Sequence, residues 1–131
     1  MLQSLSVTNI VLIEQLTLKF DDGLTVLTGE TGAGKSILLD ALGLALGSRA
    51  NFGLIRQGSD QAQVSASFHV SASHPVWALL DEAGIEIDDT LILRRRLKAD
   101  GKSSASINDI PVSIGLLYKA GDLLVEVQCQ F

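Results

Sequence analysis

A chain of 131 residues with 47% hydrophobic and 19% charged side chains suits one domain burying roughly two-thirds of its unfolded surface, and excludes wholesale disorder. A net charge of −5 argues against tight, autonomous nucleic-acid binding, since each phosphate contact calls for a basic group that displaces a counterion. The lone Cys129 excludes an internal disulfide and suits a reducing cytoplasm; two histidines and one cysteine make no zinc set, and no apolar run reaches the ~20 residues of a bilayer span.

The N-terminus, Met1-Leu2-Gln3-Ser4, lacks a basic n-region, so a secretory signal is not expected. Residues 2–20 are rich in β-branched and apolar side chains, and Leu16, Leu18 and Phe20 alternate with Thr17 and Lys19 as in a half-buried strand. Asp21-Asp22-Gly23 signals a turn, and residues 24–29 follow as a short buried strand. From Lys35 to Leu46 the spacing is helical and apolar nearly all round, which predicts a buried helix with Gly47 near its C-terminal end. Residues 61–70 alternate Ala62, Val64, Ala66, Phe68 and Val70 against polar neighbours, a strand with one wet face. Ser73 and Pro75 read as an N-cap and an early helical proline for a helix that Gly84 ends. The strands expected on either side of residues 98–102 form a hairpin built on Asp100-Gly101. Asn108-Asp109 makes a further turn, Ser113 caps a short helix to Lys119, and residues 122–131 read as a closing strand. The expected fold is α/β, a P-loop NTPase type: one strand–loop–helix unit beside an antiparallel hairpin layer, in one domain over residues 1–131.

Gly29-Glu30-Thr31-Gly32-Ala33-Gly34-Lys35-Ser36 fits the phosphate-loop pattern G-x-x-x-x-G-K-[ST] (Walker A) at every specified position. Gly29, Gly32 and Gly34 free the backbone to turn successive N–H groups inward, and the helix that follows offers unpaired amides and its positive dipole end to the same anion. Lys35 sets a cation against the β- and γ-phosphates, and the Ser36 hydroxyl is suited to ligate Mg²⁺. A glycine-rich turn that merely mimics the motif is the plain alternative; the predicted strand before it and helix after it favour the phosphate reading.

Hydrolysis needs more: a carboxylate after an apolar strand to hold the metal, and a residue that orients water. Glu126, after Leu123-Leu124-Val125, is the candidate inside the chain, against the plainer reading of a solvent-facing strand position. Asp40 reads as a helix-surface or interface residue. No Asn-Lys-x-Asp segment supports a guanine-specific enzyme. Two other function classes remain: a small self-contained kinase-like P-loop enzyme, which needs a lid bearing arginines, and a non-catalytic interaction module with a relic loop. In the run Arg94-Arg95-Arg96, strand geometry points Arg95 away from its neighbours, so no three-residue basic face exists.

The segments at 2–20, 24–50, 54–68 and 91–117 resemble the opening of the RecN family, bacterial DNA-repair proteins of the SMC/ABC-type ATPase class. That resemblance implies an N-terminal lobe of a split ATP-binding head, whose coiled coil and C-terminal lobe lie outside these 131 residues. The second lobe would carry the signature motif, the Mg²⁺-binding aspartate and the catalytic glutamate. Two heads would sandwich ATP, with DNA engaged only through the full assembly and no membrane involved. It further implies a cytoplasmic protein, Gln130 at the Q-loop position touching Mg²⁺ or water, and Arg56 near a nucleotide-bridged interface; an ordinary surface arginine is the alternative for Arg56. The family pattern Ile-His-Gly-Gln-His is replaced here by Val127-Gln128-Cys129-Gln130-Phe131, so the expected Q-loop geometry loses its glycine and both histidines.

Overall fold

Side chains that alternate apolar and polar put one face of a strand into a core and the other into water. The computed structural model describes residues 2–19 and 32–128. Among these, the patterning builds strands β1 (Leu2–Ile10), β2 (Ile13–Lys19), β3 (Gln61–His69), β4 (Thr90–Lys98), β5 (Ser103–Ile107) and β6 (Ile110–Val112). They pair in the order β2-β1-β3-β4-β5-β6, every pair antiparallel. The helices are α1 (Gly32–Ala45), α2 (Val76–Asp81) and α3 (Ile114–Gln128), with a 3-10 turn at Phe52–Leu54. The antiparallel layer is therefore as expected, whereas the short strand predicted at 24–29 lies outside the described residues.

The register arranges the core in rows. Leu18, Leu5, Ala66, Leu93, Ile107 and Ile110 stand side by side across the six strands, and so do Leu16, Val7, Val64, Arg95, Ala105 and Val112. Helix α1 packs on β1, β3 and β4, and α3 packs on α2 and β5. Leu38, Ala41 and Leu44 of α1 join Leu117, Ala120 and Leu124 of α3 in one buried cluster with the inward strand residues. The opposite face carries Ser6, Thr17, Ser65, Arg94 and Ser106, paired across successive strands.

Turns account for the chain reversals. Gly101 has φ +94 in the β4–β5 hairpin, and Asn108 and Asp109 have φ of 48 and 67 in the two-residue turn to β6. Both turns match the sequence reading. The β1–β2 turn is different, because Val11 and Leu12 carry no turn signal. Val11 nevertheless has φ 52 and Asn9 φ 56, conformations held by main-chain bonds from Val11 N to Leu54 O at 2.7 Å and from Arg56 N to Asn9 O at 2.8 Å. A β-branched residue there is locally strained, so tertiary bonds decide the turn.

Four local expectations are corrected. Helix α1 starts at Gly32, three residues before the apolar spacing begins, and it is not buried all round: Leu39 and Asp40 are exposed. Its end is a Schellman motif, with Gly47 N bonded to Leu44 O at 3.1 Å and Ser48 N to Gly43 O at 2.9 Å. Ser73 does not cap α2; Pro75 occupies the N-cap, and the imidazole Nδ1 of His74 accepts from Val76 N at 3.0 Å. Residues 122–128 are helical rather than a strand. Leu117, Ala120 and Leu124 are buried at spacings of three and four, while Val125 is exposed, a period of 3.6 and not 2. Ser113 does cap that helix, its Oγ accepting from Leu116 N at 3.0 Å.

Candidate phosphate-binding site

The motif residues fall partly inside the described chain. Gly29, Glu30 and Thr31 lie outside the described residues, as does Gln130. Gly32, Ala33, Gly34, Lys35 and Ser36 form the first turn of α1. The first four amides of any α-helix have no intrahelical acceptor. Here those donors belong to the motif itself, and no acidic side chain sits in that turn to occupy them. A helix N-terminus of this kind, with its amides and positive dipole end, suits an anion. The opposite end of the helix is closed by its own hydrogen bonds, from Gly47 N to Leu44 O and from Ser48 N to Gly43 O.

The remaining candidates are placed as follows. Arg56 follows the 3-10 turn, half-buried, its main chain bonded to Asn9 of β1; among the described residues its guanidinium has no hydrogen-bond or ion-pair partner. Asp40 is exposed on α1, as expected of a surface residue. Glu126 lies in α3, so it does not stand at the end of a strand. An open hollow of about 1000 Å³ is bordered by Asn9, Gly58, Asp60, Lys98 and Asp100; it includes no motif residue and mixes both charges.

The arginine run splits as its parity demands. Arg94 is on the wet face, donating to Ser65 Oγ at 3.2 Å and paired with Asp109 at 2.9 Å, and Arg96 donates to Gln63 Oε1 at 2.8 and 3.2 Å. Arg95 turns inward and is 2% exposed. Its Nη1 donates to Leu44 O at 3.1 Å and to Ser48 O at 2.8 Å, and its Nε to Ser103 Oγ at 2.8 Å. Burial lowers its pKa, yet a guanidinium stays charged throughout the physiological range. The sequence held a signal for this: Arg95 shares the phase of Leu91, Leu93 and Leu97, all buried. A lid of arginines, which the kinase-like reading needs, is not what this run provides.

The AAA domain profile matches residues 4–112. Among curated proteins, the chain is 46% identical to the DNA repair protein RecN of Halalkalibacterium halodurans over 131 residues, covering 99% of this chain and 23% of that protein. It is 41% identical to RecN of Bacillus subtilis, again over 131 residues and again 99% and 23% of the two chains. The resemblance to RecN read from the motifs therefore holds, and the chain spans under a quarter of the length of these relatives. A solved structure described as the structural biochemistry of ATP-driven dimerization and DNA-stimulated activation of SMC ATPases superimposes with a TM-score of 0.69. It is 23% identical, over 93% of this chain and 78% of that one, a likeness of fold. The profile match begins in β1, runs through the phosphate motif and ends at the last residue of β6, so the chain belongs to the AAA domain family.

Proposed function

We propose that this chain is the nucleotide-binding part of a RecN-like DNA-repair ATPase head, holding ATP with Mg²⁺ through Gly29–Ser36. The observation that supports this reading is the start of α1 at Gly32, inside the motif, since the amides and positive dipole end of a helix N-terminus favour a bound polyphosphate. The main chain present fits an anion. In this reading the Gly32–Lys35 amides donate to phosphate oxygens, the Lys35 ammonium neutralises the β/γ charge, and the Ser36 hydroxyl holds Mg²⁺. Gln130 is the second candidate for Mg²⁺, and Arg56 the candidate at a head–head interface. Bound ATP supplies the phosphoanhydride whose cleavage would drive the assembly.

Hydrolysis on this reading is left to parts beyond these residues: a second lobe of the same head and a partner head. Glu126, on a helix, is poorly suited to the strand-end carboxylate of such sites. DNA is engaged by the whole assembly and not by this acidic chain alone. The test is titration of the 131-residue chain with Mg-ATP by calorimetry, alongside a phosphate-release assay. Saturable binding that Lys35→Ala abolishes, with release at background, is expected. Binding indifferent to Lys35→Ala would refute the site, and steady turnover would refute the need for a second lobe.

A further inference from the structure

The proposed phosphate site uses one end of α1, and the buried Arg95 sits at the other. Taking a charge out of water is costly unless hydrogen bonds replace the lost solvation. Among the described residues no carboxylate pairs with Arg95; the groups that meet it are Leu44 O in the last turn of α1, Ser48 O just beyond, and Ser103 Oγ on β5. Carbonyls at a helix C-terminus carry the negative end of the dipole, which matches a guanidinium in charge as well as in geometry. One side chain of β4 thereby ties α1 to two strands.

This tie differs in kind from the rest of the α1 interface. Along the helix, Leu38, Ala41 and Ala45 rest on apolar side chains, and apolar contacts are non-directional. The bond from Arg95 Nη1 to Leu44 O, by contrast, is directional and joins the C-terminal turn of α1 to the sheet. The fixed end is tight in other ways. A Cβ on Gly47 would collide with the Tyr118 backbone and one on Gly121 with the Leu46 carbonyl, so α3 abuts the same end of α1 without room to shift. A helix of 14 residues is about 21 Å long, and a tilt of about 3° at one end moves the other by about 1 Å. That displacement is large against the narrow distance range of N–H···O bonds to a phosphate.

We propose that Arg95 is a positioning residue for nucleotide binding: by fixing the C-terminal end of α1 on β4 and β5, it sets where the motif amides at the other end point. The inference rests on the phosphate-site reading above. It separates from a purely structural role because the two predict opposite pairings of affinity and stability. Arg95→Met keeps the volume and removes a costly buried charge, so folding tolerates it while the directional tie is lost. Arg95→Lys keeps the charge but not the planar fork.

The experiment measures Mg-ATP affinity and thermal midpoint side by side for the wild-type 131-residue chain, Arg95→Met, Arg95→Lys and Lys35→Ala. Expected is affinity weakened about tenfold for both Arg95 variants, with a midpoint near wild type for Arg95→Met and a lower one for Arg95→Lys, whose charge stays buried with fewer hydrogen bonds. Equal affinity in the wild type and both Arg95 variants, with Lys35→Ala still null, overturns the inference and leaves the binding site standing. Absent or Lys35-independent binding in the wild type overturns the site itself, and the inference with it. Should both Arg95 variants fail to fold, Ser103→Ala decides, since it removes one arm of the fork: affinity weakened about threefold at an unchanged midpoint supports the inference. Unchanged affinity in Ser103→Ala overturns it.

Discussion

At His74 the protonation state of the ring is tied to the start of α2. The residue is 8% exposed, its Nδ1 accepts from Val76 N, and its Nε2 is buried without a partner among the described residues. Accepting at Nδ1 requires the neutral ring with its proton on Nε2. Burial lowers its pKa from the ordinary 6.5. A histidine with a depressed folded pKa contributes stability that is complete above the unfolded value and lost as pH falls through the folded one. Stability is therefore expected to fall through this residue as pH drops below the ordinary histidine value of 6.5. An asparagine side chain keeps an acceptor without titrating, so His74→Asn should flatten that part of the urea midpoint's pH profile. An unchanged profile would show that the ring is not the sensor. The Arg94–Asp109 pair, by contrast, is solvated, with side chains 34% and 80% exposed. Asp109→Asn, which removes the charge but keeps a residue tolerant of the φ of 67, is expected to change stability by less than about 1 kcal/mol.

At the scale of elements, α3 shows where local patterning and tertiary contact part company. Leu123-Leu124-Val125 satisfies a strand reading as well as a helical one, and a short apolar run does not distinguish them. Gly121 settles it through space rather than propensity: its missing Cβ lets α3 lie against the Leu46 backbone, with Leu46 Cα 2.9 Å from where that Cβ would sit. Two alanine substitutions in this one helix should then diverge. Gly121→Ala is expected to destabilise by about 2 kcal/mol, since backbone has to move. At Gly115 a Cβ meets only Ser113 Oγ, at 3.8 Å, so Gly115→Ala should stabilise by about 0.5 kcal/mol. Chemical denaturation of both variants checks the pair. Strands were easier to read. Residues 61–70 and 91–97 have Ala62, Val64, Ala66 and Phe68, then Leu91, Leu93 and Leu97, buried in alternation, because one solvated face enforces period two.

For the whole molecule, the proposed binding at one end of α1, with anchorage at the other, would make nucleotide and fold mutually stabilising. A ligand that binds only the folded chain adds about 2.7 kcal/mol at one hundred times its dissociation constant. Mg-ATP at that concentration is expected to raise the thermal midpoint of the wild type by several degrees and to leave Lys35→Ala unmoved; a shift in both would place the nucleotide elsewhere. The phosphate motif, the alternating strands and the Asp-Gly and Asn-Asp turns were legible in the amino-acid order, because each depends on neighbours within a few residues. Others were not legible: the order of the six strands, the β1–β2 turn at Val11 and Leu12, the His74 cap and the reach of α3 to Gln128. The order of residues by itself determined that a Walker A pattern opens an apolar helix and that Arg95 shares the inward phase of its strand. Only the tertiary structure decided that this inward charge meets the end of that same helix, because its partners lie 47 and 51 residues away along the chain and no local period records such a meeting.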